Sequence, residues 1–203
     1  MPRESSHQLL VGVTGGIGSG KSVVCRIFEC LGVPIYYADP RAKWLMNNDS
    51  DLRAQIIAKF GEESFIDGHL NRTFLAKHVF SDKRKLETLN SLVHPAVAMD
   101  GLTWQREHSS AKLLVKEAAL LYETRSYKQL DQIIVVAADL ELRVSRVLAR
   151  DQQRSRDEIL QIIEKQMPQE EKMKQADFVI YNDDQHSLIE QVYAFLNNNN
   201  LQL

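Results

Sequence analysis

Apolar positions along the chain switch between two periods, and the switches mark out its elements. Residues 9–13 form a short β-branched run that stops at a glycine cluster, the pattern of a buried strand. Beyond it Val23, Val24, Ile27, Phe28 and Leu31 fall at helical spacing, with Gly32 where a helix stop belongs. Residues 33–37 then read as a second strand. Strand, helix and strand in close succession predict a crossover unit and a parallel sheet. Further strands are predicted at 113–115, 133–138 and Phe178–Tyr181, with helices between and after them.

Between residues 41 and 108 the strand signal nearly vanishes. Leu52, Ile56, Ile57 and Phe60, then Leu86, Leu89, Leu92 and Val93, keep helical spacing, with turn punctuation at Asp67-Gly68 and His94-Pro95. A helical insertion between the second and third strands is the economical reading. The four asparagines at 197–200 predict a frayed tail. No internal repeat and no long linker is evident.

Composition narrows the function classes. Of 203 residues, 44% are hydrophobic and 26% charged, with Gly 9 and Pro 5, which excludes a disordered, collagen-like or low-complexity chain. Lys plus Arg 25 against Asp plus Glu 27 gives a net charge of −2, so no global basic field draws nucleic acid or an acidic membrane. Any anion site must be built locally. The opening residues through His7 are polar and do not read as a secretory signal. The apolar run at 133–138 is far short of the ~18–20 residues that span a bilayer. A soluble, cytoplasmic protein with no obligate protein partner is expected. Cys25 and Cys30 match no metal or redox spacing and are expected as reduced core thiols.

The chemistry sits at Gly15-Gly16-Ile17-Gly18-Ser19-Gly20-Lys21-Ser22, which matches G-x-x-x-x-G-K-[ST] between a predicted strand and a predicted helix. Glycines let the backbone wrap a phosphate with its amides pointing inward, and the following helix adds free N–H groups and a positive dipole end. Gly16, Ile17, Gly18, Ser19, Gly20, Lys21, Ser22 and Val23 are therefore candidate contacts to ATP. Lys21 is expected to reach the β- and γ-phosphates, and the Ser22 hydroxyl to ligate Mg²⁺. Neither N-K-x-D nor a D-x-x-G switch motif follows, so a GTPase switch is not indicated.

Asp39 lies just past the second strand, at the carboxyl edge where ligands bind in open α/β folds. It can orient or deprotonate an attacking hydroxyl, or it can cap a helix with Pro40 at the first helical position. Asp139 reads as an ordinary N-cap. Glu117, after the third strand, can serve the magnesium shell or the acceptor, or simply start a helix. Arg143, Arg146, Arg150 and Arg154 lie at offsets 0, 3, 7 and 11. At about 100° per residue they span roughly 80° of one face if the helix is continuous. Leu140, Val144, Val147 and Leu148 would pack that helix on the sheet. Such a stripe suits a lid closing over phosphates, or a solvated face paired with Asp151 and Asp157. Arg150 and Arg156, flanking a polar turn, are the lid arginines expected to touch ATP. Trp44 and Trp104 fit core or rim packing better than adenine stacking. The histidines (His7, His69, His78, His108, His186) have no partner spacing and are expected at the surface. By themselves these residues leave open a kinase for another small nucleotide or metabolite, and an ATP-sensing module gripping a protein through its helices.

From about Leu9 to Asn182 the residues resemble the dephospho-coenzyme A kinases. The run from Val11-Gly12-Val13-Thr14 through Ser22 is similar to that family's opening, narrower than the general P-loop. Ala38-Asp39 resembles its Asp-Ala-Asp segment, Leu89-Asn90-Ser91-Leu92 with His94-Pro95 its His-Pro region, and Leu120-Leu121-Tyr122-Glu123 its Pro-Leu-Leu-Phe-Glu segment. Arg150-Asp151, Gln166, Ala176-Asp177 and Asn182 are similar to its lid and closing pattern. The resemblance implies ATP-dependent phosphorylation of the ribose 3′-hydroxyl of dephospho-coenzyme A, the final step of coenzyme A synthesis. Asp39 would be the base, and Lys21 and Arg150 would be catalytic. It implies an α/β, three-layer P-loop fold with a parallel sheet. Residues 1–40, 111–150 and 170–203 would form the nucleotide core, 41–110 a helical acceptor-binding insertion and 150–169 a small lid. Three positions depart from the pattern. Tyr37 stands for the first aspartate, Lys43 for an arginine unless Arg41 takes that contact, and Ala119 for the proline.

Overall fold

The computed structural model describes residues 8–80 and 82–202, so the polar opening segment and His7 lie outside the described residues. In chain order the first elements are β1 (Leu9–Thr14), α1 (Lys21–Cys30), β2 (Ile35–Tyr37), α2 (Ala38–Asn48) and α3 (Ser50–Phe60). Next come β3 (Phe65–Ile66), β4 (His69–Leu70), α4 (Arg72–Phe80), α5 (Lys83–Glu107) and β5 (Leu113–Glu117). The last are β6 (Gln132–Ala137), α6 (Leu140–Arg150), α7 (Arg156–Glu164), α8 (Gln169–Lys174), β7 (Phe178–Tyr181) and α9 (Leu188–Asn198). The described residues fall into two units, 8–36 with 108–202, and 37–80 with 82–107.

The first unit is built on a five-stranded sheet in the order β2-β5-β1-β6-β7. β1 runs parallel to β5 (Val11 beside Val115, Val13 beside Glu117) and to β6 (Val13 beside Ile134), and β6 runs parallel to β7. Val11 and Val13 of β1, Leu113 to Val115 of β5 and Ile133 to Ala137 of β6 are all buried, the continuous apolar strands of a sheet covered on both faces. β1 lies between two strands that follow it by long connections. The chain leaving its carboxyl end therefore enters the position where open parallel sheets bind ligands.

Both ends of α1 follow local chemistry. Gly32 has φ +80°, and Val33 N–H bonds the Phe28 carbonyl at 3.0 Å while Gly32 N–H bonds Glu29 at 2.9 Å. That is a Schellman stop with glycine in the left-handed position. α9 ends the same way on Asn200 (φ +53°), with Leu201 N–H on the Leu196 carbonyl at 2.9 Å. Asn199 adds a bond from Gln132 at 2.9 Å, so the asparagine tail is tied down rather than frayed.

The second unit is mostly helical, with Leu45, Leu52, Ile56, Phe65, Leu75 and Val93 at its core. Asp67-Gly68 makes the expected turn, with φ +48° and +81°, but it closes a short β3–β4 hairpin that helical spacing had hidden. His94-Pro95 does not break the chain, because Pro95 lies inside the 25-residue helix α5. Packing of that helix on its neighbours outweighs one lost backbone hydrogen bond. Only Cys25 is a core thiol; Cys30 is exposed at the end of α1.

Candidate active site

β1 delivers the chain to a glycine loop, and α1 starts at Lys21 directly behind it. Gly20, the N-cap, has φ +90°, and a Cβ there would collide with the Asn182 amide. Glycine is therefore required by both conformation and space. The first turn of α1 holds no acidic side chain and no side-chain cap. Helix starts usually neutralise their amides with such groups; here the Gly20 carbonyl accepts the Val23 N–H at 2.9 Å and the Val24 N–H at 3.3 Å, and no side chain caps the start. Lys21 extends its ammonium across the loop mouth, donating to the Gly15 carbonyl at 3.0 Å and the Gly16 carbonyl at 3.2 Å. Ser22 and Val23 are exposed beside it. The Ser19 hydroxyl is buried without a hydrogen-bond partner among the described residues.

Side chains from distant segments hold the loop. Asn182, just after β7, donates to the Ser19 carbonyl at 2.9 Å. Its own carbonyl accepts from Arg146 at 3.0 Å, and Arg146 also reaches Asp184 at 2.8 Å. Arg143 donates from Nε to the Ile17 carbonyl at 3.0 Å, and its guanidinium lies where a Gly16 Cβ would be. Burial lowers its pKa, with Glu170 acting in the opposite direction. Gln166 Oε1 accepts the Ile17 N–H at 3.0 Å, so that amide is already engaged.

The arginine stripe is not one surface. α6 ends at Arg150, and Arg154 sits in the following turn, paired with Asp151 at 2.6 Å. Arg143 turns inward to 5% exposure while Leu140 is left 46% exposed. Val144 and Val147 cluster with Ile159 of α7, Leu148 and Ile17. Arg156, at the start of α7, pairs with Glu141 at 2.6 Å. Arg150 is exposed on the last turn of α6, with no partner among the described residues. Asp139 takes the N-cap position of α6, but only its carbonyl bonds the helix, accepting from Arg143 N–H at 2.9 Å.

Glu117 is the last residue of β5 and is buried beside Val13. Burial raises the Cys25 pKa most; Glu117 raises it further and Lys21 lowers it, so both charges act on the same neighbourhood. Asp39 is exposed in the first turn of α2, where it is the acidic residue. The N-cap is Tyr37, not Asp39, and Pro40 is the third helical residue rather than the first. Tyr37 gives α2 no side-chain cap. Arg41 does not stand free to replace an arginine at Lys43. It holds Asp100 of α5 through two bonds of 2.7 Å and lies 4.2 Å over the ring of Trp44. Lys43 itself is exposed. Leu45, Leu52, Leu92, Pro95, Asp49 and Asp100 line a cleft of about 410 Å³ within this unit.

Sequence reasoning missed Lys172 altogether. It is 1% exposed on α8, bonded to the Ala119 carbonyl at 3.1 Å and paired with Glu123 at 2.9 Å. Glu123 also accepts Met167 N–H at 2.8 Å. The Ala119 carbonyl, which a proline would equally present, accepts Thr14 Oγ1 as well, at 3.3 Å. Removing one partner of a buried pair strands the other charge. Lys172→Met is expected to cost on the order of 3 kcal/mol, read as a lower denaturation midpoint. Adding Glu123→Gln should recover part of that loss; a single variant as stable as the parent would show the pair to be idle.

A central parallel strand, a glycine loop crossed by a lysine, and a helix start without an acidic cap define a P-loop nucleotide-binding fold, and its family is that of a kinase. The family model for dephospho-CoA kinase matches residues 9–187. A dephospho-CoA kinase of Bacteroides fragilis is 39% identical over 186 residues, 92% of this chain and 90% of the relative. The crystal structure of TT1252 from Thermus thermophilus superposes with a TM-score of 0.80 at 35% identity, covering 95% of this chain and 96% of that one. A dephospho-CoA kinase structure from Campylobacter jejuni shares the fold, with a TM-score of 0.67 at 24% identity over 93% of this chain and 96% of that one. The chain belongs to the dephospho-CoA kinase family.

Proposed function

We infer that this enzyme transfers the terminal phosphoryl group of ATP to the ribose 3′-hydroxyl of dephospho-coenzyme A, completing coenzyme A. The observation that carries this reading is the glycine loop with Lys21 across its mouth, in a chain matched to the family from residue 9 to 187. The amides at the start of α1 and the Lys21 ammonium bind the β- and γ-phosphates. Asp39 holds the acceptor hydroxyl and takes its proton as the 3′-oxygen bonds phosphorus and the bridging oxygen leaves with ADP. Arg150, exposed and without a partner among the described residues, is the arginine best supported for the charge spread over the transferring group. Arg156 reaches it only by giving up Glu141. Closure of residues 150–169 excludes water, the competing nucleophile. The cleft in the helical unit has the dimensions of a small-molecule site and is our candidate for part of the acceptor.

The donor set suits magnesium. Ser22 offers a hydroxyl oxygen in the first turn of α1 and Glu117 a carboxylate at the end of β5, both hard ligands. The bound ion would neutralise charge on the β- and γ-oxygens. We place the enzyme in the cytoplasm, where ATP is abundant and its two free cysteines stay reduced.

An ADP-release assay across dephospho-coenzyme A, nucleoside monophosphates and shikimate tests the reading. Dephospho-coenzyme A should give by far the highest kcat/KM, with NMR placing the new phosphate on the 3′-oxygen. A rate indifferent to every acceptor would instead mark an ATP-sensing module.

A further inference from the structure

Ile17 is the one residue between Gly16 and Gly18 in the phosphate loop, and glycines on both sides leave its peptide groups free to rotate. Its conformation must be held from outside, and three contacts hold it. The N–H is accepted by Gln166 at 3.0 Å, the carbonyl is bonded by Arg143 at 3.0 Å, and the side chain enters the apolar cluster of Val144, Val147 and Ile159. Arg143 and the two valines come from α6, Ile159 from α7, and Gln166 from the segment just after α7. Arg143 and the two valines lie just before residues 150–169, and Ile159 and Gln166 lie within them.

We propose that Arg143 and Gln166 are positioning residues that clamp Ile17 and so tie the lid segment to the phosphate loop. Arg143 acts by geometry as much as charge. Its buried guanidinium fills the space over Gly16 that a side chain would otherwise occupy, and its Nε fixes the direction of the next carbonyl. Gln166 fixes the amide on the other side of the same residue. With both in place the Gly16-Ile17-Gly18 backbone is set before the nucleotide arrives, so binding spends less on ordering it. The far end of the same segment is stapled independently, by Lys172 on Glu123 and by Gln169 on the Ala138 amide at 3.1 Å. The end of the lid segment that carries Gln166 is tied to the phosphate loop. The inference rests on reading this loop as the ATP phosphate site.

Calorimetric titration with ATP alone, without any acceptor, tests the clamp. Gln166→Ala and Arg143→Met should each raise the ATP Kd about tenfold, the scale of one lost hydrogen bond on a positioned backbone group. Once one contact is gone Ile17 rotates and the other loses its footing, so the double variant should fall well short of the hundredfold product. In steady state KM for ATP should rise while KM for dephospho-coenzyme A stays within about twofold. Hydrogen exchange on the nucleotide-free enzyme gives a second readout. The Ile17 amide should exchange slowly in the parent, faster in Gln166→Ala, and slowly again in Gln166→Glu, which keeps the acceptor oxygen. Unchanged exchange, unchanged affinity, fully multiplicative effects, or both KM values rising together would overturn the clamp. A parent enzyme that fails to bind ATP would sink the functional reading itself, an outcome distinct from variants that bind like the parent.

Discussion

Lys21→Ala is expected to lower kcat/KM for phosphoryl transfer by at least ~10³-fold, the scale seen when a fixed cation or donor is removed from a transferring group. The ammonium is already gathered over the loop by the Gly15 and Gly16 carbonyls. It can therefore turn onto a phosphate without the reorganisation a free side chain would need. Charge builds on the oxygens around the γ-phosphorus during transfer, and this is a cation whose stem starts at the first residue of α1. Lys21→Arg should rescue little. A planar guanidinium is wider than the ammonium the two carbonyls hold, and it presents a fork where a point charge is needed. Thermal stability should fall by about 1–3 kcal/mol, the cost of leaving carbonyls of the buried Gly15 and Gly16 without their donor. ADP release with saturating acceptor measures the loss. A variant within tenfold of the parent would remove Lys21 from the chemistry and leave the loop as a binding element.

The loop was legible because its information is local. A β-branched strand, glycines forced by backbone geometry, and a helix start stripped of acidic residues all lie within residues 9–22, and the structure places β1 and α1 there. Gly32 was legible for the same reason, being a left-handed stop that only its own φ decides. What escaped was whatever depends on partners far along the chain. Arg143 read as one of a stripe facing a lid or solvent, because helical spacing puts it beside Val144 without saying which side is covered. The room it fills exists only because Gly16 has no side chain, and the Gly-Ile-Gly spacing was the available cue. Lys172 and Glu123 are two isolated charges separated by most of a lid and a strand, and no period links them. Pro95 looked like a stop because a proline usually is one; a long, well-packed helix absorbed it. The break after Arg150 was visible in the polar run 151–154, yet the arginine spacing alone argued for a continuous face.

Asp39→Asn is expected to lower kcat by about 10²-fold, the lower end of what a positioned general base contributes. The lower end applies because a loose phosphoryl-transfer transition state leaves the nucleophile little need to lose its proton early. Asparagine keeps the size and one acceptor oxygen of the carboxylate but cannot take a proton, so it separates orienting the hydroxyl from deprotonating it. The site favours a clean measurement. Asp39 is exposed and lies inside the first turn of α2 rather than at its N-cap. The substitution therefore strips no cap, and exposed positions without such a role change stability by about half a kcal/mol or less. The ATP Kd should stay within about twofold of the parent, since the proposed phosphate contacts lie in residues 15–22, on a different segment. Asp39→Glu makes the complementary case. It retains the proton acceptor but moves it by one methylene, and a displacement near 1 Å can cost as much as removing the group. If Asp39→Asn turned over at near the parent rate, Asp39 would be only the first-turn acid of α2. Proton removal would then fall to another carboxylate, with Glu117 at the end of β5 the first to examine.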